Sequence, residues 1–153
     1  MRDLLSYKLR VRDYYGRLGS RYLDLYLGES VLGYVRFLEG YSPRGSVVLD
    51  VGCGVGVGAG LVSGVVRSYV CLDLSCDVLK YPASLPNVDV VCADGGALPI
   101  RRGSVDYVLL INVVNAEGDG EDILREASSL GARLFAVSPR DLDNALISRF
   151  VGH

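Results

Sequence analysis

The chain has 153 residues, of which half are hydrophobic and 22% are charged, and its formal net charge is −2. This composition predicts one globular domain with a sizeable core, and it argues against a disordered chain or a general polyanion-binding protein. Apolar stretches are shorter than the roughly 18 residues that a membrane span needs, so we expect no membrane segment. Charges interrupt every apolar run of the N-terminus, so we expect no signal peptide, and we predict a cytoplasmic location.

The N-terminal part is helical in pattern. Residues 1–21 carry six basic side chains against two acidic ones, which predicts a solvated basic helix face or, less favoured, an RNA contact. Residues 30–39 place apolar side chains on one broad helix face, and Pro43 and Gly45 then end the helical pattern. We therefore expect a helical cap over 1–44, a core over 45–140 and a C-terminal helix over 141–153, all within a single domain.

A glycine-rich stretch, VVLDVGCGVGVGAG, follows at residues 47–60. An apolar run that stops at glycine indicates a buried strand and a tight turn. The segment after it, 59–66, is apolar enough to form a helix on a sheet. Strand, glycine turn and helix together are typical of a nucleotide-type site, in which N–H groups of the helix point at the ligand.

Short apolar runs then alternate with helical stretches along the rest of the chain. The runs are 46–51, 69–73, 88–93, 105–111 and 132–138, and the helical stretches are 57–66, 75–81, 120–130 and 141–150. Near-continuous apolar strands separated by helices predict an α/β fold, with a parallel sheet covered on both faces.

The four cysteines are Cys53, Cys71, Cys76 and Cys92, without a Cys-x-x-Cys spacing. Three of them lie in apolar, strand-like surroundings, so we expect buried free thiols. The single histidine is the terminal His153, and we therefore predict no zinc site.

Three acidic residues stand where successive strands end. They are Asp50 before the glycine turn, Asp73 at the end of the second strand and Asp94 after the third. Ligands of open parallel sheets bind at the carboxyl ends of the strands, where Asp73 could accept from ribose hydroxyls. Asp94 could accept from an adenine amino group. Any one of the three could instead cap a helix, but three in register favour a ligand site.

Two ligands compete for this arrangement. Gly54, Gly56 and Ala59 fit the G-x-G-x-x-G/A pattern of a dinucleotide site. Asp50, however, would stand beside the pyrophosphate, and two like charges there are unfavourable. S-adenosylmethionine carries a sulfonium and an ammonium group that an acid favours, and its carboxylate can take the N–H groups of the turn. A dinucleotide-binding module remains a remote alternative.

Four motifs in order resemble those of class I S-adenosylmethionine-dependent methyltransferases that act on small molecules. They are LDVGCGVG (49–56), CLDLS (71–75), VCADGGALPI (91–100) and SVDYVLLINVVNA (104–116). Residues 14–26 also resemble the tyrosine-rich N-terminal helices of the family, and the resemblance spans about residues 14–140.

The resemblance implies a set of cofactor residues. Gly52, Gly54 and Gly56 would line the methionine moiety, Asp50 would support its amino group, Asp73 would bind the ribose, and Asp94 with Gly95 would hold adenine. Asn112 and Val113 would lie near the sulfonium, and Tyr22 would close over the cofactor or serve ordinary helix packing. Cys53 and Leu74 complete the set by their places within the motifs.

The chain departs from the family in its chemistry. Asn115 and Ala116 stand where many relatives have histidine after the fourth strand, so no imidazole base is expected. Glu117, Asp119 and Tyr15 are possible bases, although plain surface or packing roles are favoured for each, and the catalytic residue stays unassigned. Methyl transfer to a small-molecule acceptor is the leading interpretation, with a non-catalytic S-adenosylmethionine-binding subunit as the alternative.

The chain also departs at its end. After Pro139 there are 14 residues, too few for the family's last two strands and their crossover. The expected sheet is therefore Rossmann-like, with five parallel strands in the order 3-2-1-4-5 and without the final hairpin. The fifth strand, 132–137, would then be an exposed apolar edge, and we expect self-association or a protein partner there.

Overall fold

The computed structural model describes residues 21–151 and the single positions 9, 13 and 17, with only the backbone for residues 21–28. Most of the basic segment 1–21 and Tyr15 therefore lie outside the described residues, and so does the side chain of Tyr22. The helices are α1 (Arg21–Gly40), α2 (Val57–Val62), α3 (Gly120–Ser128) and α4 (Asp141–Ile147). The strands are β1 (Val47–Val51), β2 (Ser68–Asp73), β3 (Val88–Cys92), β4 (Tyr107–Ile111) and β5 (Arg133–Val137).

The five strands form one sheet in the order β3-β2-β1-β4-β5, and every neighbouring pair is parallel. This confirms the predicted architecture. Strand β4 is buried along its whole length, because the central strands of a parallel sheet with helices on both faces have no solvent-exposed face. That is why its sequence is a continuous apolar run.

Each face of the sheet has its own core. Helices α1 and α2 cover one face, where Phe37 and Val62 pack, and α3 and α4 cover the other, where Leu124 and Ile147 pack. Side chains of a strand alternate between the faces, and in β1 this alternation puts Asp50 under α1 and α2. The described helices include none that is both long and apolar enough to cross a bilayer.

The segment after β2 differs from the predicted helix over 75–81. It forms two short 3₁₀ helices, Cys76–Lys80 and Pro82–Ser84. Pro82 has no N–H and cannot donate to a preceding helical turn, so an α-helix cannot continue through it. The β3 side of the sheet is thinly covered as a result, and Val90 is 38% exposed.

The cysteines differ as well, and the prediction of free thiols is wrong. Two disulfides join Cys53 to Cys71 and Cys76 to Cys92, with Cα–Cα distances of 5.5 and 5.2 Å, and no cysteine of the chain is free. The pairs are 18 and 16 residues apart in sequence. They meet because the parallel strands β1, β2 and β3 end at one edge, which spacing along the chain does not reveal.

Candidate active site

A cavity of about 290 Å³ opens at the carboxyl ends of the strands. Its walls are the turn after β1, the end of β2 and the loops after β3, β4 and β5, and Glu29 and Ser30 of α1 close one side. Strand β1 lies between β2 and β4, so chain connections leave it in opposite directions. The cavity therefore occupies the switch point at which open α/β sheets bind ligands.

The glycine turn forms the floor of this cavity through left-handed backbone. Gly52 has φ 75° and Gly54 has φ 57°, a region that side chains with a Cβ rarely adopt. A Cβ at Gly52 would also overlap the side chain of Val113. The N–H groups of Gly52 and Cys53 donate to the Leu72 carbonyl at 2.7 and 3.2 Å, which holds the turn against β2.

Asp73 connects the glycine turn to the end of β2. Its Oδ2 accepts from the Gly54 N–H at 2.9 Å, and its Oδ1 accepts from the Ser75 N–H at 2.8 Å. Burial raises the pKa of the Asp73 carboxyl, while these backbone hydrogen bonds oppose the rise. Asp73 also lines the cavity, so it both shapes the turn and stands where a ligand would bind.

The loop after β3 brings Asp94 and Gly95 to the same wall. Asp94 Oδ1 accepts from the Gly96 N–H at 2.8 Å, which fixes a short acidic turn. A Cβ at Gly95 would lie 2.8 Å from Val51 Cγ1, so the loop approaches β1 closely. Both residues line the cavity.

Asp50 occupies a different environment, on the far side of β1. It is fully buried, and its Oδ2 accepts from the hydroxyls of Tyr34 and Tyr69 at 2.7 and 2.5 Å. Its Oδ1 receives no hydrogen bond within the described part of the chain. Burial raises the pKa of Asp50 to about 7, although the two tyrosine hydrogen bonds lower it. Asp50 is not among the residues that line the cavity.

The loop after β4 contributes Asn112, whose φ of 59° is the one left-handed value at a non-glycine residue of the described chain. Its N–H donates to the Val137 carbonyl at 2.9 Å, so the strained backbone is held by β5. Asn112, Val113, Asn115 and Asp119 all line the cavity.

The segment after β5 supplies wall residues that sequence reasoning missed. Asp143 is 3% exposed, and it accepts from the Ala116 N–H at 2.8 Å and from the Ser138 hydroxyl at 2.8 Å. Arg140 pairs with Glu117 at 2.8 Å, and Glu117 with nearby Asp143 raises the pKa of the Arg140 guanidinium. The signal that could have found them is an acid in the first turn of a helix directly after a strand end.

The predicted cofactor residues fall into three groups. Those that line the cavity are Gly52, Gly54, Asp73, Leu74, Asp94, Gly95, Asn112 and Val113. Those that do not are Asp50, Cys53 and Gly56, and the side chain of Tyr22 is not described. Gly56 instead caps α2 beside Pro82, which is 2.8 Å from a Cβ placed there.

The charge of the wall discriminates between cofactors. Among the described residues, five acids line the cavity, Glu29, Asp73, Asp94, Asp119 and Asp143, against one basic residue, Arg140. Such a wall suits a ligand with cationic groups and repels a pyrophosphate. The residues present therefore fit S-adenosylmethionine and disfavour a dinucleotide.

Comparison with known proteins agrees with this assignment. A family described as a methyltransferase domain matches residues 49–131, which is 83 of the 153 residues. A "probable S-adenosylmethionine-dependent methyltransferase" of Mycobacterium tuberculosis is 33% identical over 60% of this chain and 34% of its own length. The chain thus spans about a third of that relative.

Two solved structures share the fold. A DhpI–SAM–HEP complex superposes with a TM-score of 0.70 at 20% identity, covering 100% of this chain and 74% of that one. A Haloferax volcanii methyltransferase, solved in complex with its Trm112 activator, superposes with a TM-score of 0.68 at 16% identity, covering 80% of this chain and 58% of that one. With the matched domain, the motifs and the cavity all in agreement, this chain belongs to the S-adenosylmethionine-dependent methyltransferase family.

Proposed function

We propose that this chain transfers a methyl group from S-adenosylmethionine to a small-molecule acceptor. The observation that carries the proposal is the position of Asp73, which joins the glycine turn to β2 and faces the cavity at the switch point of the sheet. A carboxylate at this place is suited to the two hydroxyls of a ribose. Asp94 and Gly95 would then receive the adenine, and Gly52 and Gly54 the methionine moiety.

Asp50 would act on the site from behind. Its hydrogen bonds with Tyr34 and Tyr69 join α1, β1 and β2 beneath the glycine turn. The proposed role is therefore to hold the turn in position, while direct support of the cofactor's amino group stays a prediction. Cys53 and Gly56 would serve the turn in the same indirect way.

The bound cofactor would supply a methyl group on a sulfonium, from which a neutral thioether leaves readily. The protein then has mainly to orient the acceptor and exclude water. Asn112 and Val113 line the cavity from the loop after β4, and Ser138, Arg140 and Asp143 line it from the β5 end. Asp119 lines the same cavity and is the described carboxylate we favour for receiving a proton from the acceptor.

Turnover tests the proposal. The protein is incubated with methyl-labelled S-adenosylmethionine and a panel of thiols, amines and phenols, and labelled product and S-adenosylhomocysteine are measured. We expect acceptor-dependent formation of both in equal amounts, and loss of both in Asp73→Ala. Label transfer by the wild type that persists unchanged in Asp73→Ala would contradict the proposed site.

A non-catalytic subunit that binds S-adenosylmethionine is the second candidate. It is favoured by the β5 end of the cavity, where Arg140 forms ion pairs with Glu117 and Asp143, so these charges are already paired within the protein. Tight cofactor binding without turnover across the acceptor panel would favour this candidate. Binding of NAD in place of S-adenosylmethionine would remove both candidates and restore the dinucleotide module.

A partner at the β5 edge is also proposed. Strand β5 is last in the sheet, and its residues 134–137 are half-buried. On one face, its Phe135 ring packs against Phe37 and Tyr41. An apolar strand whose outer edge meets no described strand is a surface for pairing, and the Haloferax volcanii relative is solved with a protein partner. We propose a second copy of this chain as the occupant, and sedimentation at micromolar concentration tests it. A dimer would support this occupant, whereas a monomer would point to another protein or none.

A further inference from the structure

The two disulfides join the glycine turn to β2 and the segment after β2 to the end of β3, and they differ in exposure. Cys53 and Cys71 are 3% and 0% exposed and belong to the core under α2. Cys76 and Cys92 are both exposed. A thiol reagent in solution therefore reaches the second bond and not the first, since exchange requires access to a sulfur.

The exposed disulfide joins the two segments that carry the proposed nucleoside acids. Cys76 follows Asp73 by three residues, and Cys92 precedes Asp94 by two. In the sheet, Asp73 and Cys92 are register partners, and the Ala93 N–H donates to the Asp73 carbonyl at 3.0 Å. The bond thus joins the two segments whose acids, Asp73 and Asp94, line the cavity, although neither cysteine lines it itself.

The segment held by this bond has weak structure of its own. Residues 76–84 form two 3₁₀ helices, whose closing bonds are local, such as the Leu85 N–H to the Pro82 carbonyl at 3.0 Å. Short 3₁₀ helices have poorer hydrogen-bond geometry than α-helices. Val78 of this segment lines the cavity beside Leu74. Movement of the segment would therefore reach the ligand wall directly.

We propose that the Cys76–Cys92 disulfide is a thiol-exchange site through which a small dithiol lowers the affinity of the protein for its cofactor. A thiolate of the dithiol attacks one sulfur and forms a mixed disulfide, and its second thiol then closes the reagent's own disulfide. The two cysteine sulfurs together gain two electrons and two protons, and the dithiol loses them. This inference rests on the proposed cofactor site.

The experiment combines three measurements on the whole chain purified in air. Alkylation and mass spectrometry count and locate the thiols before and after treatment with dithiothreitol. Hydrogen exchange follows the amides of residues 74–81, and calorimetry gives the Kd of S-adenosylhomocysteine. The matched controls are the Cys76→Ser/Cys92→Ser variant and wild type that has been reduced and then re-oxidised.

We expect the dithiol to release Cys76 and Cys92 while Cys53 and Cys71 stay bonded. Exchange over 74–81 should accelerate, and the Kd should rise on the order of tenfold, as it would if about a tenth of the reduced chains kept the competent conformation. The double variant should show the raised Kd and no response to dithiol, and re-oxidation should restore the wild-type value.

Release of the two thiols without a change in exchange or in Kd would overturn the inference, as would four alkylatable thiols in the air-purified protein. A failure of the proposed function has a different signature. The oxidised protein would then not bind S-adenosylhomocysteine at all, and the exchange rates of residues 74–81 would still decide whether the bond restrains the segment.

Discussion

The two halves of the cavity are built by different means. In the half at β1, β2 and β3, main-chain N–H groups of the glycine turn donate to the Leu72 carbonyl and the Asp73 carboxylate. Two disulfides join this turn to β2 and the segment after β2 to the end of β3. The half at β4 and β5 is held by side chains such as Asp143 and Arg140, which bond to Ser138 and Glu117. Main-chain requirements restrict sequence strongly at the first half, whereas the second half can vary with the acceptor.

The largest expected effect concerns the acid behind the first half. The pKa of Asp50 is raised from 3.8 to about 7, so between these values the folded protein holds a proton that the unfolded chain has lost. Stability therefore falls as pH rises from about 4 to about 7, by up to about 1.4 kcal/mol per pH unit from this group. Chemical unfolding should show a steeper fall of stability with pH in the wild type than in Asp50→Asn, which keeps the other titrating groups, Asp73 included. Parallel pH profiles would contradict the assignment.

The next effect tests the first half directly. Asp73→Ala removes the acceptor of the Gly54 and Ser75 N–H groups and the proposed ribose contact. Hydrogen bonds to a charged group contribute about 1.5–3 kcal/mol, so we expect the affinity for S-adenosylhomocysteine to fall at least about tenfold in calorimetry. Asp89→Ala, at an exposed position of β3, is the matched control and should bind like wild type. Equal affinities for both variants would place the ribose elsewhere.

Two glycines of α2 give a comparison within one helix. Only Gly58 has close neighbours: a Cβ there would overlap the Tyr34 ring of α1 and lie 2.6 Å from the Tyr69 hydroxyl of β2, whereas nothing lies within 4 Å of one at Gly60. Gly58→Ala should cost about 1–3 kcal/mol through overpacking, and Gly60→Ala should gain about 0.5–1 kcal/mol from helix propensity. Thermal unfolding measures both, and a gain from both would refute the contact between Tyr34 and α2.

The smallest expected effect on cofactor binding belongs to the second half. Asp143→Ala leaves the part-buried Ala116 N–H and the Ser138 hydroxyl without their acceptor, at a cost of about 1–3 kcal/mol in unfolding free energy. The affinity for S-adenosylhomocysteine should stay within about twofold of wild type, because Asp143 stands with the β5 end of the wall and away from the glycine turn. A tenfold loss of affinity would show that the two halves are not separate.

The same contrast explains what could be predicted from sequence. The strands, the glycine turn and the acids at the strand ends follow from hydrophobic pattern and local chain chemistry, and the strand order follows from the resemblance to the family. All of these appear in the structure. The hydrogen bonds of Asp50 with Tyr34 and Tyr69 join residues 16 and 19 positions apart on three elements. Their pairing depends on tertiary packing, which a local pattern does not contain.

Two further features, the disulfides and the cavity residues after β5, could not be predicted from sequence for a related reason. Cys76 and Cys92 meet only because β2 and β3 pair in one particular register, and register is a property of the assembled sheet. Asp143 bonds to residue 116 across two loops. The helix predicted over 75–81 forms a 3₁₀ turn for a local reason, because Pro82 lacks the N–H that would donate to the last turn of so short a helix.

A crystal structure of the protein with S-adenosylhomocysteine is the most direct test of the proposed cofactor site. We predict the ribose hydroxyls within hydrogen-bond distance of Asp73, the adenine beside Asp94 and Gly95, and the sulfur next to Asn112 and Val113. A cofactor bound away from Asp73, or with its adenosine at the Ser138–Asp143 end of the cavity, would contradict the central claim that the strand-end acids of β2 and β3 form the nucleoside site.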